Sequence, residues 1–263
     1  MTATEAAMPV LQLRQVSKRF GAVQALSNVD FEVYSNEVVA LVGDNGAGKS
    51  TLIKTIAGAY KPDDGDYIFE GKVVSINSPR DATDLGVETV YQDLALCDNL
   101  DVVSNLYLGR ENVRRSGLKA MDLLNETEME RRATEVLRDL SVKIPSVRVQ
   151  IANLSGGQRQ SVAVARSVMW NSKVVLLDEP TAALGVEQTR QVKDLILRLR
   201  ERGLGVVVIS HNVADVFEVS DRIIVMRLGR RVATFHTARS TNEQVIGAIT
   251  GAMLPANAYG EAE

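Results

Sequence analysis

The sequence predicts an α/β fold in which a mostly parallel sheet is wrapped by helices. Short apolar runs, each bounded by Gly, Asp, Ser or Arg, predict buried strands at residues 38–42, 174–177, 206–209 and 223–226. A helical pattern lies among them, with Val192, Leu195, Ile196 and Leu199 on one face and Gly203 as the stop. Buried strands that alternate with helices are typical of a parallel sheet covered on both faces.

The segment before the first buried strand has a different pattern. Apolar residues alternate roughly with polar ones at Leu11, Leu13 and Val16, and again at Val29 and Phe31. Alternation with a period of two predicts strands with one buried face. We expect antiparallel strands that cover one edge of the sheet domain.

Residues 97–170 are predicted to form a helical lobe inserted into the sheet domain. One face of a helix there carries Met129, Ala133 and Leu137, and Thr127 with Glu130 predicts a capping box at its start. Strand patterns resume afterwards with no linker, so we expect a single domain over residues 9–251, with flexible tails at 1–8 and 252–263.

Composition excludes some classes of partner. The 263 residues carry 30 basic and 33 acidic side chains, a net charge of -3, so we expect no nucleic acid partner. The single cysteine, Cys97, cannot form an internal disulfide, which fits a reducing compartment. No window approaches the roughly 20 apolar residues of a membrane-spanning helix, so any role at a membrane is expected to act through a partner.

A glycine-rich loop follows the first buried strand. It reads Gly43-Asp44-Asn45-Gly46-Ala47-Gly48-Lys49-Ser50 and fits the phosphate-loop pattern G-x-x-x-x-G-K-[ST]. Its backbone N–H groups and the following helix are expected to hold the phosphates of ATP. Lys49 would contact the β- and γ-phosphates, Ser50 would bind Mg²⁺, and Thr51 would contact the α-phosphate. The alternative is a plain glycine turn at a helix start.

Two adjacent acids end the apolar run at 174–177. Asp178 and Glu179 would emerge at the carboxyl edge of a parallel sheet, where ligands bind. We expect Asp178 to bind the Mg²⁺ that Ser50 contacts, and Glu179 to act as the base that activates water. A solvated pair of acids at a strand end is the alternative.

The segment Leu154-Ser155-Gly156-Gly157-Gln158 is identical to the signature sequence of ATP-binding-cassette (ABC) proteins, and here the chain resembles that family. The resemblance implies a P-loop NTPase with a RecA-like core, an antiparallel β subdomain and an inserted α-helical subdomain. It also implies that Ser155, Gly156, Gly157 and Gln158 bind the γ-phosphate of ATP held by the opposite protomer of a dimer.

Three further positions take roles from the same resemblance. Gln92, in Val90-Tyr91-Gln92-Asp93, is similar to the glutamine that senses Mg²⁺ and links the nucleotide to a membrane subunit. His211 is similar to the switch histidine that contacts the γ-phosphate and orients the water, and Phe20 to the aromatic residue that stacks on adenine. A structural histidine and a core phenylalanine are the alternatives.

One position departs from the family pattern. Members usually carry Asp in the loop after the second carboxylate motif, whereas this chain reads Thr181-Ala182-Ala183-Leu184-Gly185. The departure puts the usual aspartate contact across the dimer in doubt. Hydrolysis is expected to survive, because Glu179 and His211 are both present.

Narrower features, at residues 91–100 and 181–186, resemble the ATPase subunits of bacterial monosaccharide importers of the ribose, xylose and fructose group, the single-cassette fructose type most of all. The resemblance implies a homodimer at the cytoplasmic face of the inner membrane, bound to permease subunits and served by a periplasmic sugar-binding protein. The sugar is not encoded in this chain. A soluble ABC ATPase acting on chromosomes or ribosomes and a non-catalytic regulatory cassette are the competing hypotheses.

Overall fold

The computed structural model describes residues 8–114 and 123–253, so most of the two predicted tails lies outside the described residues. The strands are β1 (Leu11–Phe20), β2 (Val23–Val33), β3 (Glu37–Val42), β4 (Asp64–Phe69), β5 (Lys72–Val74), β6 (Val87–Val90), β7 (Val113–Arg114), β8 (Leu123–Leu124), β9 (Val174–Asp178), β10 (Gly205–Ile209), β11 (Arg222–Arg227) and β12 (Arg230–His236). The helices are α1 (Lys49–Ile56), α2 (Pro79–Leu85), α3 (Val102–Tyr107), α4 (Glu126–Asp139), α5 (Gly156–Val168), α6 (Val186–Glu201), α7 (Val213–Val219) and α8 (Asn242–Thr250).

The central sheet has the strand order β12-β11-β3-β10-β9-β6. All its pairings are parallel except that of β12 with β11. The central residues of its inner strands are apolar and buried, as the Val206–Ile209 stretch of β10 illustrates, because helices cover both faces of such a sheet. The predicted α/β class is confirmed.

A second, antiparallel sheet has the order β2-β1-β4-β5. Leu11 pairs with Val33 and Leu13 with Phe31, and these four side chains are fully buried. Together with apolar residues of α1, including Leu52, they form one core cluster under the central sheet. The antiparallel sheet predicted from the period-two pattern therefore covers α1, the helix that follows the phosphate loop.

The helices α3, α4 and α5 form a lobe that packs through Met129, Ala133 and Leu137, as their helical spacing predicts. The predicted capping box at Thr127 is wrong, because α4 already begins at Glu126 with Asn125 as its N-cap residue. Asn125 donates its backbone N–H to Asn112 at 2.8 Å, which fixes the chain just before the helix. None of the described helices is long and apolar enough to cross a membrane.

The register of the central sheet brings the motif-bearing loops together. Leu41 of β3 is level with Ile209 of β10, and Ile209 is level with Asp178 of β9. Parallel strands that end at the same level release their following loops at one edge. The phosphate loop, the acidic pair and the segment with His211 therefore emerge side by side.

Candidate active site

A cavity of about 540 Å³ lies at this carboxyl edge. It is lined by Val23, Gln24, Ala25, Asp44, Asn45, Gly46, Ala47, Gly48, Lys49, Ser50, Thr51, Gln92, Asp178, Glu179, Ile209, His211, Leu228 and Gly229. The structure thus brings the acidic pair, the glutamine, the histidine and the predicted phosphate-loop residues other than Gly43 to one place.

The phosphate loop depends on glycine at two close approaches. Gly43 has a φ of 150° and Gly48 a φ of 101°, a region that residues with a Cβ rarely adopt. A Cβ at Gly48 would lie 2.8 Å from the carbonyl oxygen of Ala25, and one at Gly43 would collide with the carbonyl oxygen of Met226. No described side chain caps α1, so its first N–H groups are free to bind an anion.

Lys49 is held inside the loop. Its side-chain Nζ donates to the carbonyl oxygens of Gly43 at 2.6 Å and Asp44 at 2.9 Å, and the residue is only 6% exposed. Desolvation lowers the pKa of Lys49, against the attraction of Glu179 and of other nearby acids. The loop itself therefore holds the ammonium group of Lys49 in position before a phosphate binds.

The acidic pair faces the same cavity, and burial affects both of its members. Desolvation raises the pKa of Asp178, opposed by the positive charges of Lys54 and Lys49. Desolvation likewise raises the pKa of Glu179, opposed chiefly by His211. A carboxylate whose pKa is raised by burial is a stronger base, which suits an acceptor of a proton from water.

Glu179 carries an unsatisfied oxygen. Its Oε1 lies 3.1 Å from Nε2 of His211, but the pair lacks the alignment of a hydrogen bond, and this buried oxygen has no hydrogen-bond partner among the described residues. Buried acceptors are nearly always paired with protein or with ordered water. Oε1 of Glu179 is therefore available to accept a hydrogen bond from a water molecule that enters the cavity.

The predicted Mg²⁺ ligands also meet at the cavity. Ser50, Gln92 and Asp178 bring a hydroxyl, an amide and a carboxylate to its wall. Oxygen donors with a single carboxylate suit Mg²⁺, which is usually held by one or two carboxylates together with substrate phosphates. The residues present therefore fit the ion.

Phe20 does not belong to the described lining of the cavity, although its strand partner Val23 does. Its ring is 42% exposed and packs edge-on against Tyr60, with 5.1 Å between ring centroids. Phe20 is therefore exposed beside the rim, directly across the hairpin from Val23 in the cavity wall. Its stacking role stays a prediction.

Sequence reasoning missed another part of the rim, formed by Leu228 and Gly229 in the turn between β11 and β12. Gly229 donates its backbone N–H to Ala47 in the phosphate loop at 3.0 Å and accepts one from Ser27 at 2.8 Å. This turn braces the loop from the side. The sequence signal that could have indicated this turn is Leu228-Gly229, an apolar residue next to a glycine within a polar turn.

The signature residues do not line the cavity in the described chain. Ser155 caps α5, since its Oγ accepts from the backbone N–H of Gln158 at 3.3 Å. The Gln158 side chain accepts in return from the N–H of Ser155 at 3.0 Å and donates to the carbonyl oxygen of Lys143 at 3.1 Å. The turn is a preformed helix start, separate from the phosphate loop of its own chain.

Gly185, at the departure from the family pattern, is the N-cap residue of α6 with φ -71° and ψ 165°. A Cβ there would meet nothing within 4 Å among the described residues. Residues with side chains adopt this conformation readily. The backbone therefore does not require glycine at this position.

Comparison with known proteins places the chain. The family model described as ABC transporter matches residues 26–182. The chain is 48% identical to the xylose/arabinose import ATP-binding protein of Sulfolobus acidocaldarius over 90% of this chain and 92% of that protein. It is 47% identical to the fructose import ATP-binding protein of Rhizobium meliloti, over 94% of this chain and 96% of that protein.

A solved structure gives the same result for the fold. It is a dimeric ATP-binding cassette in a post-hydrolysis state with ADP and Pi bound, with a TM-score of 0.71, 27% sequence identity and coverage of 88% of this chain and 100% of that chain. Motifs, fold and relatives agree over nearly all of the described residues. The chain belongs to the ABC transporter family, as one of its ATP-binding cassettes.

Proposed function

We propose that this chain binds ATP with Mg²⁺ in the cavity at the carboxyl edge, hydrolyses it, and so energises the import of a monosaccharide. The observation that carries the proposal is the convergence of Lys49, Asp178, Glu179 and His211 on one cavity beside an uncapped helix start. Such an arrangement serves phosphoryl transfer, in which positioning and charge stabilisation supply most of the catalysis.

The geometry and the family resemblance together support a role for each residue. Lys49 and the N–H groups of the loop hold the terminal phosphates, while Glu179 takes the proton of the attacking water and His211 orients that water. Mg²⁺, held by Ser50, Asp178 and Gln92, would neutralise phosphate charge. Thr51 would contact the α-phosphate.

The signature turn completes the site from a second copy. Ser155 to Gln158 form a helix start outside the cavity of their own chain, with Ser155 and Gly156 exposed. Ser155 caps only the N–H of Gln158, and the other N–H groups of a helix start are suited to a terminal phosphate. In a head-to-tail homodimer, each copy would add this turn to the γ-phosphate of the other, so ATP would close the dimer and hydrolysis would reopen it.

Sugar import is supported by the relatives, whose names specify import of xylose/arabinose and of fructose. Fructose is the first sugar to test, as the sequence features of the single-cassette type indicate. The membrane partners would be permease subunits at the cytoplasmic face of the inner membrane, fed by a periplasmic sugar-binding protein. Gln92 and the helical lobe would transmit closure to the permease.

The test has two stages. Purified chain with ATP and Mg²⁺ should release phosphate steadily, and a chain that binds ATP without releasing phosphate would be a regulatory cassette instead. Proteoliposomes containing the chain and its permease, with the sugar-binding protein outside, should then accumulate fructose, xylose or ribose only with internal ATP. The Lys49→Met variant is the negative control, and co-purification with ribosomes in place of a permease would contradict the import function.

A further inference from the structure

Asp215, in the first turn of α7, receives hydrogen bonds from the loop after β9, from α6 and from the N-cap residue of its own helix. Its Oδ2 accepts from Oγ1 of Thr181 at 3.2 Å and from Nδ2 of Asn212 at 3.0 Å. Its Oδ1 accepts from Nζ of Lys193 in α6 at 3.1 Å. The side chain is 14% exposed, so these contacts are largely shielded from solvent.

Two of these contacts lead directly to the proposed catalytic groups. Thr181 is the second residue after Glu179, and Asn212 immediately follows His211. Asn212 also caps α7 through its side-chain oxygen and donates its own N–H to Oγ of Ser210 at 3.0 Å. One carboxylate therefore joins the segment that carries the base to the segment that carries the histidine.

The segment after Glu179 needs such a restraint. Glu179 has a φ of 52° and Ala183 a φ of 58°, both in the left-handed region that non-glycine residues rarely adopt. Backbone held in these conformations persists only where surrounding contacts determine it. The backbone N–H of Glu179 donates to the carbonyl oxygen of Ile209 at 3.1 Å, and the bond from Thr181 to Asp215 ties the residues that follow to α7.

We propose that Asp215 is a positioning residue for ATP hydrolysis, which holds Glu179 and His211 at their 3.1 Å separation by linking the two loops that carry them. The proposal rests on the function proposed above. Asp215 touches neither the cavity nor its reacting groups and acts through Thr181 and Asn212. Catalytic geometry displaced by as little as 1 Å costs about 100-fold in rate, so loss of the link should appear in kcat.

The first experiment measures steady-state ATP hydrolysis and ATP binding for matched variants. Thr181→Val keeps the shape and removes the hydroxyl, Thr181→Ser restores it, and Asp215→Asn removes the charge at constant size. We expect Thr181→Val and Asp215→Asn to lower kcat about 10-fold or more, with the Kd for ATP changed less than about two-fold, and Thr181→Ser to stay near the parental kcat.

Glu218→Gln is the matched control. Glu218 is the second carboxylate that contacts Lys193, at 2.6 Å, and it is exposed, so its loss disturbs the same ammonium but leaves both loops tied to Asp215. Its kcat should equal the parental value. The double variant Thr181→Val/Asp215→Asn should be no slower than the slower single variant, because both changes break one link.

A second measurement does not depend on turnover. The chain has two histidines, His211 and His236. In nucleotide-free protein at fixed pH, Asp215→Asn should shift the imidazole NMR signals of His211 and leave those of His236, at the end of β12, in place. Glu218→Gln should shift neither.

Parental kcat in both Thr181→Val and Asp215→Asn, or unchanged His211 signals, would overturn the proposal. A kcat that Thr181→Ser does not restore would also overturn it, since the hydroxyl would then be irrelevant. Failure of the parental chain to release phosphate would instead count against the proposed ATPase function, and the NMR measurement would still decide whether Asp215 holds His211.

Discussion

The phosphate-loop cavity and the signature turn differ in how much of a binding site each provides. The cavity combines a buried cation, Lys49, with acids and a histidine from three strand ends. The signature turn, Ser155 to Gln158, offers a capped helix start of the helical lobe at which Ser155 and Gly156 are exposed. The phosphate-loop region is a nearly complete pocket, whereas the signature turn supplies hydrogen-bond donors that lie outside that pocket.

The difference teaches that the chemistry is divided between two surfaces of one chain. The groups proposed to act on a proton or on Mg²⁺ follow strands of the central sheet. The turn proposed to recognise a terminal phosphate lies on the helical lobe, so it would approach and withdraw with a partner. In the proposed homodimer, each copy would bring its signature turn to the cavity of the other.

The largest effect is expected at the pocket. Glu179→Gln should lower the rate of ATP hydrolysis by roughly 10²- to 10⁴-fold, because a general base contributes about that much, while ATP binding is retained. Phosphate release and nucleotide binding are measured in parallel. Asp84→Asn, an exposed acid on α2, is the control. Parental turnover by Glu179→Gln would assign the base elsewhere.

Mixed dimers should test directly whether the cavity of one copy works with the signature turn of the other. Ser155→Asp keeps a capping residue at α5 and adds a negative charge where the partner's phosphate would lie, and Lys49→Met disables the pocket. Each variant alone should be nearly inactive. A mixture should recover about a quarter of the parental rate, since half the dimers are mixed and each has one intact composite site.

The neutral Ser155→Asn variant is the control for the charge, because asparagine also caps helices. It should retain more activity than Ser155→Asp. Absence of any recovery on mixing would mean that the signature turn serves its own chain.

The rim is expected to contribute less than either surface. Phe20→Ala should raise the KM for ATP roughly 5- to 10-fold with little change in kcat, near the lower end of the 1–3 kcal/mol that base stacking contributes. Phe20→Leu keeps apolar bulk without an aromatic face and should behave like Phe20→Ala. Phe20→Tyr should stay near parental. An unchanged KM in all three would remove Phe20 from the adenine site.

The effect of Glu179→Gln on thermal stability should depend on pH. Burial raises the pKa of Glu179 in the folded state, so ionising it opposes folding as pH rises through that raised value. Glu179→Gln should therefore have the higher Tm near pH 7. The advantage should vanish below the ordinary glutamate pKa of about 4.3, where the acid is protonated in both states. Thermal unfolding across this range checks the sign.

The smallest effect is expected at Gly185. Gly185→Asp has open space and a suitable backbone, and aspartate is a slightly better N-cap residue than glycine, so the free energy of unfolding should rise by a few tenths of a kcal/mol. Denaturant unfolding of the monomer measures it. Gly185→Ala, which cannot cap, should not stabilise. Destabilisation by aspartate would show that the α6 start tolerates glycine alone.

Much of the site was predictable because each motif is a local pattern with a local physical cause. Glycines at close approaches, an acidic pair after an apolar strand and a Ser-Gly-Gly helix start are all visible in the sequence. The failed prediction at Thr127 shows the limit of such patterns. Several residues there can cap a helix, and the choice of Asn125 depends on its bond to Asn112 across a neighbouring strand pair.

The residues alone establish the strands, the loops that follow them and the chemical groups those loops carry, because burial period and side-chain chemistry are properties of short segments. The fold decides which distant groups meet. The brace of Gly229 on the phosphate loop, the link of Asp215 to Thr181 and the distance of the signature turn from its own cavity arise from strand order and register. Contacts between residues far apart in the chain produce no periodic pattern in the sequence, so only the packed structure reveals them.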